Sequence, residues 1–321
     1  MSLTDEYQAL RHAAGVVDRS DRGAVLVTGP DAASFLQSLV SQDLDALADG
    51  GGGHSLLLTP QGKLDVDFRL LHVGDEWWCD CEAGFGAQLA ASLNRFKIRV
   101  EVDVIDRSDD WGQLVVRGPE TRARIEAATG VAPPPGAHDH VAWGASRRLV
   151  RTDWPGVEGI DVVGSRGAIA DARRVLVEAG VAECGVDAYE IVRVEAGVTR
   201  QGLDTDEKTI PQEAFLELDA VSFTKGCFLG QELVCRIDTR GHVNRFLRGV
   251  RVDAGDPFSV GAEVLAEGKV IGALTSVAAS PELGPIALAM VRRQVEPPAE
   301  VVVRGPDGER LARIEALPLV T

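Results

Sequence analysis

One local pattern constrains this chain more than any other. A short apolar run ends in glycine, and an amphipathic helix follows. The pattern appears first as Ala24–Thr28 (AVLVT), then Gly29-Pro30-Asp31, then AASFLQSLV. Glycine ends the strand, proline is tolerated in a first helical turn, and an acid there suits the helix dipole. Phe35, Leu36 and Leu39 then share one helical face. The same order returns at Gln113–Arg117, Gly118-Pro119-Glu120 and TRARIEAAT, and again at Ile160–Val163, Gly164 and AIADARRVLVEAG. Repeated strand–turn–helix units of this kind predict α+β layers of the split βαβ type. They lack the tight period of a solenoid.

Two changes in texture divide the chain. Three consecutive prolines lie within Ala132–His140 (APPPGAHDH), where neither a helix interior nor a central strand accommodates them. That stretch is expected to be a surface linker or long loop. Beyond Gly249 the helical period gives way to short runs such as RGVRV, AEVLAEGKVIGALTSV and PIALAMV. Five to seven short strands there predict a small β-barrel or sandwich. VVVRGP near the end continues as Asp307-Gly308, a hairpin signal. The expected division is 1–245, holding two α+β lobes, and 246–321.

Charge excludes several functions. The net charge is −16, a field that repels nucleic acid and anionic membrane. No apolar run reaches the roughly 18 residues of a membrane helix. The N-terminus MSLTDEYQALRH carries acids and no apolar core, so no signal peptide is expected. Five cysteines (79, 81, 184, 227 and 235) form no disulfide framework, which fits a reduced, cytoplasmic protein. Neither they nor the six histidines show a metal-ligand spacing, so no metal is expected. Cations do gather between Lys225 and Arg251, where six basic residues face Glu232 and Asp238. This is either a solvated basic face or a local site for an anionic small molecule.

Chemistry concentrates between Tyr189 and Leu247. Glu195 comes at the end of the helix YEIVRVEAG, before Gly197. It is either an ordinary helix glutamate or a carboxylate able to accept two hydrogen bonds from an N–C–N edge such as a 2-aminopyrimidinone. In TKGCFLGQELVCRID, Gly226 and Gly230 let the backbone turn close to a ligand, and Lys225 lies two residues before Cys227. Cys227 is then either a small core residue or a thiol that a neighbouring ammonium makes reactive. GQELVCRID reads as a helix start whose free N–H groups could meet an anion.

RVEAGV, TIPQE and above all KGCFLGQE closely resemble the signature of YgfZ-type proteins, a branch of the glycine-cleavage T-protein superfamily. LRHAAGVVDRSDRGAVLVTGPDAASFLQSLVSQDL and LLLTPQGKLDVDFRLL resemble the opening and the acid-bearing strand pair of T-proteins, so the resemblance spans nearly the whole chain. It implies a ring of ferredoxin-like lobes around a central tetrahydrofolate pocket, followed by a small C-terminal β-barrel. It implies Asp65, Glu195, Lys225, Gly226, Gln231 and Arg236 as folate contacts, with Glu195 on the pterin edge. Lys225 and Cys227 become the reactive pair. Val66 and Gln61 stand where T-proteins carry the second acid and first glycine of their GG-x-x-DD stretch, and Asp67 follows one place on. These departures and Cys227 point to a tetrahydrofolate-binding protein that serves assembly or repair of iron–sulfur proteins, with iron–sulfur client or assembly proteins as partners. A tetrahydrofolate-dependent aminomethyltransferase, or a related one-carbon transferase, is the alternative. A scaffold acting through its surfaces alone is a third.

Overall fold

A computed structural model describes every residue except Asp307 and Thr321. The chain opens with α1 (Leu3–His12), β1 (Gly15–Asp18), β2 (Gly23–Thr28) and α2 (Ala32–Leu39). A meander of β3 (Gly52–Leu58), β4 (Leu64–Val73) and β5 (Glu76–Cys81) follows, then α3 (Gly86–Arg95) and β6 (Asp103–Asp106). Next come β7 (Trp111–Arg117), α4 (Thr121–Thr129), β8 (His140–Ala142), β9 (Arg147–Arg151), β10 (Gly159–Ser165) and α5 (Arg166–Glu178). β11 (Ala182–Glu183), α6 (Val186–Ala196), α7 (Glu217–Ala220) and α8 (Gln231–Arg240) complete this part. The rest is strand: β12 (Arg245–Val252), β13 (Glu263–Ala266), β14 (Lys269–Ser280), β15 (Gly284–Arg292), β16 (Ala299–Gly305) and β17 (Gly308–Glu315).

These strands make two open sheets and one barrel. One sheet has the order β11-β1-β7-β10-β9-β8 and the other β3-β4-β5-β2-β6, while β12-β15-β14-β13-β16-β17 closes on itself. The α+β lobes and the C-terminal β-barrel expected from the sequence are therefore present. Each predicted strand–turn–helix unit is found, as β2–α2, β7–α4 and β10–α5. Gly29 and Gly118 hold equivalent places, with φ of 113° and 119°. A Cβ at either would lie 2.3 Å from a carbonyl, of Glu101 or of Ala13, so both the turn and the close approach demand glycine. The helix stripes bury as the period requires: Phe35, Leu36 and Leu39 pack on Val25, Val27, Phe68 and Leu70 of their sheet.

The proline-rich stretch is irregular and returns to the body at its end, where the His138 amide donates to Arg151 O and that of His140 to Gly50 O. β16 and β17 pair out to Gly305 and Gly308; of the hairpin signal read there, Asp307 lies outside the described residues. The lobes and the barrel are joined by buried polar contacts. Glu195 of α6 accepts from Tyr7 of α1 and Ser280 of β14. Asp204 accepts from Arg193 of α6 and from Thr275 and Ser276 of β14. No described helix is long and apolar enough to cross a membrane.

Candidate active site

Strands of both open sheets, α6 and the loops around 138 and 153 enclose a polar cavity of about 310 Å³. Part of its charged lining comes from strands. Arg69 of β4, Arg117 of β7 and Asp161 of β10 each follow a buried apolar residue in their strands and are at most 7% exposed. Buried charges persist only when paired and hydrogen-bonded, and these are. Asp161 accepts from Arg69 at 2.9 Å, Arg117 at 3.0 Å and the Gln113 amide at 2.9 Å. Burial opposes its charge, yet Arg117 and Arg69 outweigh that and hold its carboxyl below the ordinary range. Arg69 also donates to Asp80 at 2.7 Å, and Arg22 links Asp80 to Glu82. Glu82 is half-buried, which raises its pKa, but Arg22 and Arg19 bring it down to about 2.

Two atoms of this lining, Gln113 Oε1 and Arg117 Nε, have no hydrogen-bond partner among the described residues. Since Gln113 gives its amide nitrogen to Asp161, its oxygen is left as a free acceptor. Arg117 offers a free donor. Trp154 and Tyr189, with ring centroids 5.1 Å apart, form an aromatic wall beside them. On another side Asp67 of β4 meets His54 of β3 at 2.5 Å. A second cavity of about 230 Å³ has Trp78, Trp111, Leu71 and Val163 in its lining and is mainly apolar. The converging charges belong to the larger one.

None of the residues expected to contact folate or to react (Asp65, Glu195, Lys225, Gly226, Cys227, Gln231 and Arg236) lines that cavity, whereas Asp67 does. Glu195 is fully buried; its Oε1 accepts from Tyr7 at 2.9 Å and Ser280 at 2.5 Å, and Arg11 lies 3.7 Å from Oε2. Its oxygens tie α1 and the barrel to α6. Asp65 turns to α3, accepting from Gln88 at 2.8 Å with Arg95 at 3.8 Å. The cause is an irregular register: Leu57 pairs Val66 and Leu58 pairs Leu64, so Asp65 is the extra residue of a bulge. Alternation from Asp65 to Asp67 is thereby broken, and Asp67 is the acid at the cavity.

The signature loop lies elsewhere as well. Lys225 Nζ donates to the carbonyls of Gln37, Val40 and Gln42 at 2.7–2.8 Å, capping the C-terminal end of α2. Its three protons are thus engaged by carbonyls, and none remains for a thiolate at position 227. Burial lowers its pKa to about 8, against Asp43 and Asp45. Gly226, Cys227 and Arg236 are exposed, and Gln231 Oε1 accepts from the Phe228 amide within the loop. The residues that do gather, His54, Asp67, Arg69, Gln113, Arg117 and Asp161, had one signal in the sequence. They are polar positions inside strands whose neighbours are apolar, as in DFRLL, QLVVR and GIDVV.

Two open α+β sheets around a polar cavity, braced by a closed barrel, define the fold class, and comparison with known proteins narrows it. Residues 1–225 match the GCVT N-terminal domain and residues 245–320 the glycine cleavage T-protein C-terminal barrel domain. The aminomethyltransferase of Nostoc sp. is 30% identical over 318 residues, covering 94% of this chain and 84% of that protein. That of Rubrobacter xylanophilus is 30% identical over 311 residues, covering 93% and 82%. The crystal structure of the glycine cleavage system aminomethyltransferase T from Bartonella henselae superposes with a TM-score of 0.88 at 25% identity, over 99% of this chain and 90% of that one. The chain belongs to the glycine-cleavage T-protein family. Relatives matched over nearly its whole length are named aminomethyltransferases, which overturns the reading as an accessory of iron–sulfur assembly and favours the alternative drawn from the same sequence.

Proposed function

We propose that the chain is a tetrahydrofolate-dependent aminomethyltransferase, or a related one-carbon transferase, working in the central cavity. The observation that carries this reading is the pair of buried groups Gln113 Oε1 and Arg117 Nε, without hydrogen-bond partners among the described residues, beside the Trp154–Tyr189 wall. A reduced pterin presents donors and acceptors along one edge of a flat ring system, and such a set complements it. Leaving buried polar atoms unpaired costs about 1–3 kcal/mol each, which a matching ligand recovers. Asp161 orients the set by fixing the Gln113 amide and the Arg117 guanidinium. Asp67 is the group on the wall able to move a proton at a reacting nitrogen.

Within the family, KGCFLGQE is our basis for a YgfZ-type branch, with its exposed Cys227 outside the reaction proposed here. We retain the division at 245/246, where β12 begins. All five cysteines are free thiols, which supports a cytoplasmic location.

Calorimetric titration with tetrahydrofolate under anaerobic conditions tests the reading, alongside turnover with an aminomethyl donor. Wild type is expected to bind in the micromolar range and turn over. Gln113→Met loses about tenfold in affinity, as one hydrogen bond of about 1.4 kcal/mol requires. Asp67→Asn keeps affinity and loses turnover by about 100-fold. No binding by wild type removes the proposal.

A further inference from the structure

The cavity wall carries a chain of four titratable groups. His54 follows the β3 pairing in which Leu56 opposes Asp67, so its side chain shares a face with Asp67 as a diagonal neighbour. Its Nε2 lies 2.5 Å from Asp67 Oδ1 and its Nδ1 3.2 Å from Asp219 Oδ2 on α7. The same Asp219 oxygen is 3.4 Å from His138 Nε2, at the end of the proline-rich loop. All four side chains line the cavity, brought there from four separate segments.

Carboxylates only accept hydrogen bonds, so a histidine with a carboxylate at each ring nitrogen carries a proton on both. The remaining charge nearby is Arg69, opposite His54 in the β3–β4 register, and its guanidinium turns to Asp80 and Asp161. Burial disfavours the imidazolium, yet Asp67 and Asp219 outweigh it and lift the His54 pKa to about 10. His54 therefore stores a proton at neutral pH, within hydrogen-bond reach of Asp67.

We infer that His54, held by Asp219, supplies the proton that Asp67 passes to the leaving amine. The inference rests on the transferase reading above. In the first step the Nε2–H bond of His54 breaks and an O–H bond forms on Asp67, turning the ion pair into neutral imidazole and neutral acid. In the second, a folate nitrogen lone pair forms the new bond to the transferred carbon as its C–N bond to the amine breaks, the leaving amine keeps that electron pair, and the Asp67 O–H bond breaks as an N–H bond forms on the amine, which returns Asp67 to carboxylate. Neutral His54 retains its Nδ1–H toward Asp219 and regains a proton at Nε2 from water when product leaves. His54 and Asp219 act through Asp67 and are positioning residues in this scheme.

Two measurements on the full chain decide it. The first is the pH profile of kcat for wild type, His54→Gln and Asp219→Asn, with tetrahydrofolate affinity measured alongside. His54→Gln is expected to lower kcat by about 100-fold while affinity stays within about threefold. Asp219→Asn is expected to move the basic limb of the profile down by about one pH unit or more, because one of the two carboxylates that favour the imidazolium is gone. Unchanged kcat and profile in both variants, or a loss confined to affinity, overturns the inference. The second is an NMR pH titration of the His54 ring, identified by its disappearance in His54→Gln. A wild-type midpoint above pH 8 that falls in Asp219→Asn supports the inference. A midpoint at or below the ordinary histidine value of about 6.5 overturns it whether or not folate binds. If wild type neither binds folate nor turns over, the transferase reading fails, and the NMR midpoint still reports the charge state of His54 separately.

Discussion

Lys225 gives its three ammonium protons to the carbonyls of Gln37, Val40 and Gln42 at and just past the end of α2, and Cys227 two residues on meets solvent. The conspicuous lysine of the signature is thus a helix cap, favoured by the negative end of the helix dipole. Lys225→Met is expected to destabilise the protein by about 2 kcal/mol, from the lost charged hydrogen bonds and the carbonyls left behind. Cys227→Ala is expected to change stability by less than about 0.5 kcal/mol, as exposed positions do. Urea titration of both variants checks the contrast. A large loss for Cys227→Ala would mean that the thiol is packed in solution. The same scale separates two acids one residue apart from Val66. Asp65 serves α3 and Asp67 the cavity, and a single extra residue in β4 makes the difference.

At the level of elements, the signature is a joint. Gly230, at the N-cap of α8, has φ of 78° and packs against the turn between β3 and β4. A Cβ there would meet Thr59 O at 2.4 Å and the Gly62 Cα at 3.2 Å. Two glycines let the hairpin that carries Asp65 and Asp67 lie directly on the start of α8. Gly230→Ala is therefore expected to cost about 2 kcal/mol or more, through left-handed backbone strain and displacement of the hairpin. Gly226→Ala has open space around its Cβ and negative φ, so it is expected to be neutral within about 0.5 kcal/mol. Equal melting temperatures for the two variants would contradict this account. The shared motif of Gly29 and Gly118 works likewise, each glycine seating a strand–helix turn against a neighbouring backbone.

For the whole molecule, the barrel is fastened by buried polar hubs. Asp204 is 3% exposed and accepts from Arg193 at 2.8 Å, Thr275 at 2.6 Å, Ser276 at 2.7 Å and its own loop's Arg200 amide at 3.0 Å. Arg193 also lines the cavity, so the hub connects the barrel to the site. Asp204→Ala leaves a buried guanidinium without its main partner, at a cost of about 3–5 kcal/mol. Amide exchange along β14 is expected to accelerate with it, and unchanged protection there would show that apolar packing alone holds the barrel. Glu195, with Tyr7 and Ser280, is a second hub of the same kind.

What the sequence by itself determined were the elements and their order. Strand runs, glycine-proline turns and helix stripes are local, and each of the units β2–α2, β7–α4 and β10–α5 stands where that grammar placed it. The C-terminal strands and the family resemblance were legible for the same reason. The site was not, because its members lie on separate strands whose side chains meet only through sheet order and lobe packing. Arg69, Arg117 and Asp161 come from β4, β7 and β10, 92 residues apart at the extremes. A bulge in β4 chose Asp67 over Asp65, and the docking of α1 and β14 buried Glu195 as a strut. Motif residues close together in sequence turned into caps and joints. The chemistry was assembled by tertiary structure, since only long-range packing can desolvate and pair charges carried so far apart.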